Sequence, residues 1–558
     1  MFRRVPRFKF GAKFLKFTRN YSSGTRNNFN YNLSYGIIAG IVIGFGGYKL
    51  GKYELVNNPP SNLFPSNSTT KLEDLESPKY ASDEQLELAI SKIIEILGST
   101  NVKNSKIEID HHTKNEFSPH EPKINEKPKY IIYPSSTLEV SKIMKILNEY
   151  RVPVVPFSGG TALEGHFYST RMGVVLNTSK MNRIIKINQD DLDVQVEAGV
   201  NWQDLNQVLA KDGLMFGNDC GPNGLISGMI NTNASGINAS RYGSMIHNVI
   251  SITVVLADGT IVKTKQRPRK SSAGYNLTGL FIGSEGTLGI VTEAVVRLYV
   301  KPKYETVVVG QFPTILDSTN MVGDIFKSGI QPNAIELLDQ DMMHCINYAG
   351  YTTREWEECP SLFIKIGGMN KVIVDEYIKQ LQKIASDNNV VKFIFAKNQE
   401  EGEELFSARK NAFYAMLQYA RNEIDPDIKT WVTDIAVPIS KLSPVLNQVS
   451  KIIKSSGFES IILAHAGDGN FHADLFYKLE DEEKCEKIVD ELIKIGLQNE
   501  GTCTGEHGIG NAKRNFLKME LGEDAINLMR KLKMSLDPNR ILNPDKIFKI
   551  DPEDDGKY

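Results

Sequence analysis

Paired cysteines are missing from this 558-residue chain. Its cysteines number five, an odd count, and no two of them form a Cys-x-x-Cys pair. The sequence therefore offers no recognisable disulfide framework and no cysteine-based zinc site. We also find no internal repeat and no low-complexity tract. The length, together with 41% hydrophobic residues, predicts two or three globular domains.

Acidic residues are missing from the first 53 positions, which hold ten Lys and Arg side chains before Glu54. The rest of the chain keeps 55 basic and 67 acidic residues, a net charge of −12. A basic leader on an acidic body is typical of targeting and not of nucleic-acid binding. Residues 1–32 mix Arg and Lys with Phe and Leu, which predicts a mitochondrial transit peptide cleaved near Ser22. A disordered basic tail is the alternative.

Long uncharged stretches are also scarce, and the one at residues 33–48 reads LSYGIIAGIVIGFGGY. It is slightly shorter than the ~20 residues that cross a hydrocarbon core. Tyr31 and Tyr48 suit the two interfaces, and glycines spaced four apart suit close helix contact in lipid. We predict a transmembrane anchor over residues 33–50 in the mitochondrial inner membrane. The acidic body would face the intermembrane space, because the basic flank stays in the matrix. A secretory signal peptide is the alternative.

The remaining chain changes character several times. Residues 51–125 combine a linker rich in Asn, Pro and Ser with an N-terminal helical segment. Short strands and helices alternate over residues 126–303. Residues 304–500 interleave strand-like runs with amphipathic helices, which predicts a separate antiparallel sheet backed by helices. Residues 501–558 end in a stretch punctuated by proline.

Three loops of small residues suit an anionic ligand. PFSGGTALEGH (156–166) places glycines directly after a predicted strand, where backbone N–H groups can approach a pyrophosphate. It contains neither Gly-x-Gly-x-x-Gly nor Gly-Lys-Ser/Thr, which argues against a Rossmann site and a P-loop. Residues 219–243 and 283–290 add Ser, Thr and Asn donors. The loops predict a clasp for an elongated, phosphate-containing cofactor. A structural glycine turn and, for the second loop, disorder are the alternatives.

Two histidines flank a Gly-Asp-Gly turn in AHAGDGNFHAD (464–474). Glycine at this turn excludes a helix, so a strand and a tight loop must present His465 and His472. The pair alone is equally compatible with metal ligands and with an ordinary polar loop. GTCTGEHGIG (501–510) adds the neighbours Glu506 and His507. Two imidazoles and a carboxylate form a three-ligand set that leaves positions open for substrate and suits Zn²⁺ or Mn²⁺.

The order of YIIYPSSTLEV, PFSGGTALEGH, SGMINTNASGINASRYG and SEGTLGIVTEA resembles the FAD-binding domain of the vanillyl-alcohol oxidase/PCMH flavoprotein superfamily. The C-terminal half, with HAGDGNFH, GEHGIG and LDPNRILNPDKIF, is similar to its D-2-hydroxyacid dehydrogenase branch. The resemblance covers roughly residues 80–550. It implies an α+β fold, with a two-subdomain PCMH-type FAD-binding domain at 126–303 and a cap or substrate domain at 304–500. The segment 501–558 would return to the FAD domain.

The resemblance also implies an FAD cofactor spread along the small-residue loops. Some members tether the flavin through a histidine at the position of Thr161, so we expect non-covalent FAD here. The residues that the resemblance implies for FAD binding are Pro156, Ser158, Gly159, Gly160, Thr161, Gly165, His166, Gly228, Thr232, Ser235, Gly236 and Ile290.

In the same way, the resemblance implies that His465, His472 and Glu506 bind a divalent metal and that His507 is the catalytic base. Neighbouring side chains diverge, so Glu506 can face the metal while His507 faces the substrate hydroxyl. An ordinary histidine pKa near 6.5 permits proton uptake at neutral pH. Arg409, on a predicted helix, would hold the substrate carboxylate. A solvated surface arginine is the alternative. Thr433 stands where D-2-hydroxyglutarate enzymes carry a lysine, which favours a monocarboxylate.

The function expected from this resemblance is oxidation of D-lactate to pyruvate, with hydride passing to FAD and electrons to cytochrome c. The acidic body suits a basic electron carrier, because opposite charge speeds encounter. One alternative is a D-2-hydroxyglutarate or glycolate dehydrogenase on the same scaffold. An alkylglycerone-phosphate synthase-like transferase is disfavoured, because that branch does not require the His/His/Glu set. A non-catalytic, membrane-anchored flavin-binding protein is a further alternative.

Overall fold

The computed structural model describes residues 67–113, 123 and 126–554. The predicted transit peptide at 1–32 and the predicted transmembrane anchor at 33–50 therefore lie outside the described residues. Within the described ranges, no helix is both long enough and apolar enough to cross a bilayer.

A four-stranded sheet with the order β1-β2-β4-β3 begins the described fold. Its central pairs, β2 with β4 and β3 with β4, are parallel, and β1 is antiparallel to β2. Helices α1 and α3 pack on one face of this sheet, and α2 precedes β2. The bounds are α1 Asp83–Leu97, β1 Val102–Lys103, α2 Lys106–His111, β2 Tyr130–Ile132, α3 Thr137–Tyr150, β3 Val154–Phe157 and β4 Val174–Asn177.

Local signals place the first helices well. Ser82 and Gln85 form the reciprocal capping box that starts α1. Ser136 caps α3 by accepting from the Glu139 N–H, but the Glu139 carboxylate accepts from Ser135 and not from Ser136. Helix α3 is nevertheless fixed by packing, because its apolar residues, spaced three and four apart, are buried against the sheet.

A five-stranded antiparallel sheet with the order β5-β6-β10-β8-β9 follows. The disordered alternative for residues 219–243 is wrong, because two short helices form there and the first, α5, buries Ile226, Met229 and Ile230 against this sheet. The bounds are β5 Ile184–Asn188, β6 Asp193–Glu197, α4 Trp202–Leu209, β7 Leu214–Met215, α5 Ile226–Thr232, α6 Ala239–Tyr242, α7 Met245–Asn248, β8 Val249–Val255, β9 Ile261–Lys263, α8 Leu277–Phe281, β10 Ile290–Arg297 and β11 Tyr299–Val300.

The prediction of an antiparallel sheet backed by helices in residues 304–500 is confirmed. Seven strands run in the order β15-β12-β14-β13-β18-β19-β16, and β17 also pairs with β19. Every pair in this sheet is antiparallel. The bounds are β12 Tyr304–Gln311, β13 Ala334–Leu338, β14 Ser361–Gly368, β15 Lys392–Phe395, β16 Lys429–Val432, β17 Ile435–Ala436, β18 Ser460–His465 and β19 Asn470–Tyr477.

Helices cover both faces of this large sheet. Strand β12 shows why, since Val308 points into one core while Val307 and Val309 point into the other. Helices α9, α11, α14 and α15 pack on the Val308 face, and α10, α12 and α13 pack on the opposite face. The bounds are α9 Ile315–Ser328, α10 Gln340–Ala349, α11 Lys371–Asp387, α12 Gln399–Lys410, α13 Ala412–Tyr419, α14 Ile439–Ser456 and α15 Glu482–Gln498.

The C-terminal segment crosses back to the first sheet. Helix α16, Arg514–Leu536, is kinked at Gly522, whose φ of 77° is not helical. Beyond it, Leu542 forms a parallel bridge with Val154, and the Asn543 N–H donates to the Val154 carbonyl. Residues 542 and 543 therefore extend the sheet at β3, next to the loop 156–166.

Candidate active site

A cavity of about 1390 Å³ lies between the small-residue loops and one end of the large sheet. One side, which we call the glycine wall, is formed by residues 156–166 and 219–243. The other side, the histidine wall, is formed by β18, β19 and the loop 504–510. Arg409 on α12 also lines the cavity. Both motif groups singled out in the sequence thus open on the same space.

Glycine is required where the two loops of the glycine wall meet. A Cβ on Gly159 would lie 2.5 Å from the Asn223 carbonyl oxygen. Gly160 has a φ of 66°, and a Cβ there would lie 2.7 Å from the Phe157 ring. The close backbone approach leaves a groove without side chains, which suits a phosphate-containing group held by backbone N–H donors.

Ten of the twelve residues that the resemblance implied for FAD binding line this cavity, and Gly165 and Ser235 do not. Gly165 instead allows the Asn511 side chain to pack against the loop 156–166, since a Cβ on Gly165 would lie 2.1 Å from Asn511 Oδ1. The Ser235 hydroxyl donates to Glu506 Oε2 at 2.6 Å, so it links the glycine wall to the histidine wall.

His166 supports the fit of a polar cofactor. It is buried and lines the cavity, and its Nε2 lies 3.4 Å from Glu285 Oε1. Neither ring nitrogen makes a hydrogen bond to any residue in the described part of the chain. A buried polar group without a partner is costly, so an FAD oxygen or nitrogen in this cavity would complete the site.

Strand register brings His465 and His472 to the same face of the sheet. Leu463 on β18 pairs with His472 on β19, so residue 465 points to the same side as residue 472. The turn between them needs glycine, because Gly469 has a φ of 73° and a Cβ there would lie 2.1 Å from the Val437 carbonyl oxygen. The two imidazole centroids are 5.8 Å apart.

Glu506 joins this pair from the loop 504–510. Its Oε1 lies 3.0 Å from His465 Nε2 and 3.5 Å from His472 Nε2. One donor atom from each of the three side chains lies within 4.8 Å of the others. The structure therefore brings together all three ligands that the sequence suggested for a metal.

Both imidazoles are oriented for coordination through Nε2. The Thr433 carbonyl accepts from His472 Nδ1 at 2.8 Å. Both Glu336 oxygens lie 3.0 Å from His465 Nδ1, and Oε1 accepts its hydrogen bond. The proton on each Nδ1 leaves the Nε2 lone pair directed at Glu506, as in carboxylate–histidine–metal arrangements. The donor set fits a divalent cation.

The pKa shifts of the side chains in this cluster also favour a bound cation. Burial lowers the pKa of His465, but Glu336 and Glu506 together raise that pKa well above its ordinary value. Burial raises the pKa of Glu506, but His465 and His472 bring it well below its usual range. A buried and a half-buried carboxylate around one imidazole favour positive charge there, which a second proton or a metal cation supplies.

Two buried carboxylates shape the loop 504–510. Asp434 Oδ2 accepts from the backbone N–H groups of Glu506 and His507 at 3.0 and 2.8 Å. Glu285 accepts from the N–H groups of Ile509 and Gly510 at 2.7 and 2.8 Å. Because both ends of the loop are held, the neighbouring side chains of Glu506 and His507 are fixed in different directions.

His507 stacks on His472 with ring centroids 5.0 Å apart and an interplanar angle of 13°. Its Nδ1 lies 3.4 Å from Glu164 Oε1, and Glu164 also pairs with Lys513 Nζ at 2.7 Å. Burial lowers the pKa of His507, but Asp434 and Glu164 raise it, and the net change is upward. The neutral imidazole that can accept a proton therefore predominates only at a higher pH than an ordinary histidine would require.

Arg409 is not the solvated helix-surface residue that was the alternative, because only 7% of it is exposed. Its Nε donates to Glu336 Oε2 at 2.7 Å. A guanidinium has five N–H donors in a planar fork, so one bond to Glu336 leaves four for other partners. Arg409 can therefore bind a carboxylate in the cavity.

Sequence reasoning missed Glu164, Glu336, Asp434 and Asp474. Asp474 is buried on β19 and lines the cavity, burial raises its pKa to about 8, and its Oδ1 has no hydrogen-bond partner in the described ranges. A signal existed for Glu336, because it is the one charged residue in the buried strand Ala334–Leu338. No local pattern identifies the other three.

Two protein-family models match this chain. A family model for a FAD binding domain matches residues 128–265, and one for the C-terminal domain of FAD linked oxidases matches residues 301–547. The mitochondrial D-lactate dehydrogenase [cytochrome] of Kluyveromyces lactis is 48% identical over 93% of this chain and 90% of its own length. Mitochondrial D-lactate dehydrogenase [cytochrome] 1 of Saccharomyces cerevisiae is 48% identical over 88% of this chain and 85% of its own length.

Among solved structures, 4-ethylphenol oxidase from Gulosibacter chungangensis superposes with a TM-score of 0.68. The match covers 86% of this chain and 99% of that chain at 20% identity, which supports the fold alone. The predicted α+β, PCMH-type fold is confirmed. The chain is a flavin-dependent oxidoreductase that belongs to the family of mitochondrial D-lactate dehydrogenases (cytochrome) in the PCMH/vanillyl-alcohol oxidase superfamily.

Proposed function

We propose that this chain oxidises D-lactate, or a close D-2-hydroxy monocarboxylate, to the 2-oxo acid. One observation carries the proposal: the cluster of His465, His472 and Glu506 opens on the same cavity as the glycine wall. A substrate in that cavity would lie between a flavin site and a cation site. The names of the fungal relatives support D-lactate as the substrate.

Each side chain has a distinct part in this proposal. His465, His472 and Glu506 hold a divalent cation, Zn²⁺ or Mn²⁺. When bound, FAD supplies the hydride acceptor, and the cation supplies a Lewis acid for the substrate oxygens. Arg409 binds and orients the substrate carboxylate. His507 removes the hydroxyl proton as the Cα hydride leaves.

The mode of FAD binding is also a proposal. Thr161 lines the cavity where some superfamily members have the tethering histidine, so the flavin binds without a covalent link. The FAD-binding domain would span residues 126–303 and the cap domain 304–500. The segment 501–558 would complete the FAD site, consistent with the hydrogen bonds from Asn543 to the carbonyls of His166 and Glu285.

We further propose cytochrome c as the electron acceptor, because the fungal relatives carry "cytochrome" in their names and the chain beyond residue 53 has a net charge of −12. Their names also support a mitochondrial location. A transit peptide at 1–32 and a single anchor at 33–50 would place the body at the inner membrane, facing the intermembrane space.

D-2-hydroxyglutarate or glycolate oxidation on the same scaffold is the competing function. The Thr433 hydroxyl, which stands where D-2-hydroxyglutarate enzymes have a lysine, accepts from the Ala473 N–H at 2.8 Å and offers no cation to a second carboxylate. Anaerobic flavin bleaching with D-lactate, L-lactate, glycolate and D-2-hydroxyglutarate tests the choice. We expect D-lactate to bleach the flavin fastest. Failure of D-lactate to bleach it would refute the proposal.

A further inference from the structure

Glu336 is an acidic side chain in a strand that is otherwise part of the core. Its neighbours on β13 are Ala334, Ile335, Leu337 and Leu338, and only 1% of Glu336 is exposed. A carboxylate in such a place is unfavourable unless charged partners and hydrogen bonds compensate for lost hydration. The partners of Glu336 therefore indicate why an acidic side chain lies in this buried strand.

Both partners belong to the site described above. Leu337 pairs with Ala464, and this antiparallel register puts Glu336 directly beside His465. Both carboxylate oxygens lie 3.0 Å from His465 Nδ1. The Oε2 atom also accepts from Arg409 Nε at 2.7 Å. One carboxylate thus contacts a proposed metal ligand and the proposed substrate-carboxylate binder.

We propose that Glu336 is a positioning residue that couples the metal site to the substrate-carboxylate site. Because Glu336 accepts a hydrogen bond from His465 Nδ1, it selects the tautomer that carries its proton on Nδ1 and leaves Nε2 facing Glu506. The same bond fixes the plane of the imidazole ring. The hydrogen bond that Glu336 accepts from Arg409 Nε fixes the plane of the guanidinium and leaves its remaining N–H donors for the substrate carboxylate. This inference rests on the proposed function, since it concerns how the same cavity holds its substrate.

The coupling has a consequence for the substrate class. A 2-hydroxy acid carries its hydroxyl and carboxylate on adjacent carbons, so the groups that bind them must keep a short, fixed separation. Because His465 and Arg409 contact the same carboxylate, neither can shift without moving against Glu336. The arrangement therefore selects 2-hydroxy acids over 3-hydroxy acids, whose two groups are one carbon further apart.

A simpler role is charge neutralisation, in which Glu336 only compensates for the buried Arg409. That role predicts wild-type metal affinity and KM in Glu336→Asp, which keeps the charge but is too short to reach both partners. Metal affinity and substrate KM measured on the same variant therefore separate the two roles.

The test uses FAD-loaded, full-length protein freed of metal with a chelator, and titrates it with Zn²⁺ or Mn²⁺ by calorimetry. For Glu336→Gln we expect metal affinity to fall about 10- to 100-fold, the range usual for loss of such a histidine partner. We also expect a higher KM for D-lactate and weaker discrimination against D-3-hydroxybutyrate. Glu404→Gln is the matched control, because Glu404 also lies on α12 but pairs with Arg354 and does not line the cavity.

Unchanged metal affinity in Glu336→Gln, with wild-type protein binding metal, would overturn the inference and leave the proposed function standing. Wild-type protein that binds no metal would instead count against the proposed function. If Glu336→Gln loses FAD, Glu336→Asp keeps the charge but is too short to reach both partners. A loss of about tenfold or more in metal affinity or in KM supports the coupling in that variant, and wild-type values for both overturn it.

Discussion

The two walls of the cavity are built from opposite kinds of residue. The glycine wall presents backbone, and its tightest positions, Gly159 and Gly160, leave no room for a side chain. The histidine wall presents buried imidazoles and carboxylates, each supported by a further polar group such as Glu336 or Asp434. One wall suits an elongated cofactor through the absence of side chains, and the other suits a cation and a proton through buried charge.

The walls meet at Glu506. Its Oε1 faces His465 and His472, while its Oε2 accepts from the Ser235 hydroxyl and the Gly236 N–H. A proposed metal ligand is thus fixed by residues of the opposite wall. We therefore expect substitutions deep in either wall to act on one function, and substitutions at this junction to act on both.

Loss of the proposed base is the largest expected effect. His507→Ala should lower kcat for D-lactate by about 10²- to 10⁴-fold, because general base catalysis typically contributes that much. FAD content and metal content should remain at wild-type levels, since neither wall loses a binding group. Stopped-flow flavin reduction measures the loss, and a wild-type rate in this variant would contradict the assignment of His507 as the base.

A change confined to the glycine wall should break FAD binding alone. Gly160→Ala places a Cβ at a φ of 66° and against the Phe157 ring. Strain of this kind costs about 1–3 kcal/mol, so we expect FAD to bind at least ~5-fold more weakly. Metal affinity should not change. Gly457→Ala is the control, because Gly457 has a φ of 81° but open space around it and does not line the cavity.

Ser235→Ala should affect both walls at once. The Ser235 hydroxyl donates to the charged Glu506 carboxylate, and such a bond contributes about 1.5–3 kcal/mol. We expect roughly tenfold weaker metal binding and a measurable loss of FAD affinity. Ser443→Ala, which removes a surface hydroxyl bonded to Asn320, is the control. A loss of FAD affinity without any loss of metal affinity would contradict the proposed link between the two walls at Glu506.

The smallest expected effect is a shift in the pH dependence of kcat/KM, which depends on His507 in the histidine wall. Glu164 helps to raise the pKa of His507, so Glu164→Gln should lower that pKa. The base must be deprotonated to act, and kcat/KM therefore rises with pH through this pKa. In Glu164→Gln the rise should occur at lower pH than in the wild type. A rise at unchanged or higher pH would contradict the assigned contact between the two residues.

How much could be predicted from the sequence also differs between the walls. Glycine patterns, the Ser82 capping box and the apolar stripe of α3 are local signals, so the glycine wall and the first helices follow from short stretches of chain. The partner of His465 lies 129 residues away in Glu336. No spacing encodes such a contact, because strand register in a sheet brings the two residues together.

The proposed metal ligands show what could not be predicted from local sequence patterns. The spacing of His465 and His472 left metal binding and an ordinary loop equally open, and the similarity to known flavoproteins supplied Glu506 as the third ligand. The raised pKa of His507 could not be predicted either, because Asp434 and Glu164 reach it from distant segments.

The central claim is that the histidine wall holds a cation needed to oxidise a D-2-hydroxy acid by the flavin. Its most direct test is the single-turnover rate of flavin reduction by D-lactate, measured anaerobically in FAD-loaded protein before chelation, after chelation and after addition of Zn²⁺ or Mn²⁺. We predict rapid reduction by D-lactate but not by L-lactate, loss of reduction after chelation with FAD retained, and recovery with metal. Undiminished reduction in metal-free protein, or reduction by L-lactate alone, would contradict the account.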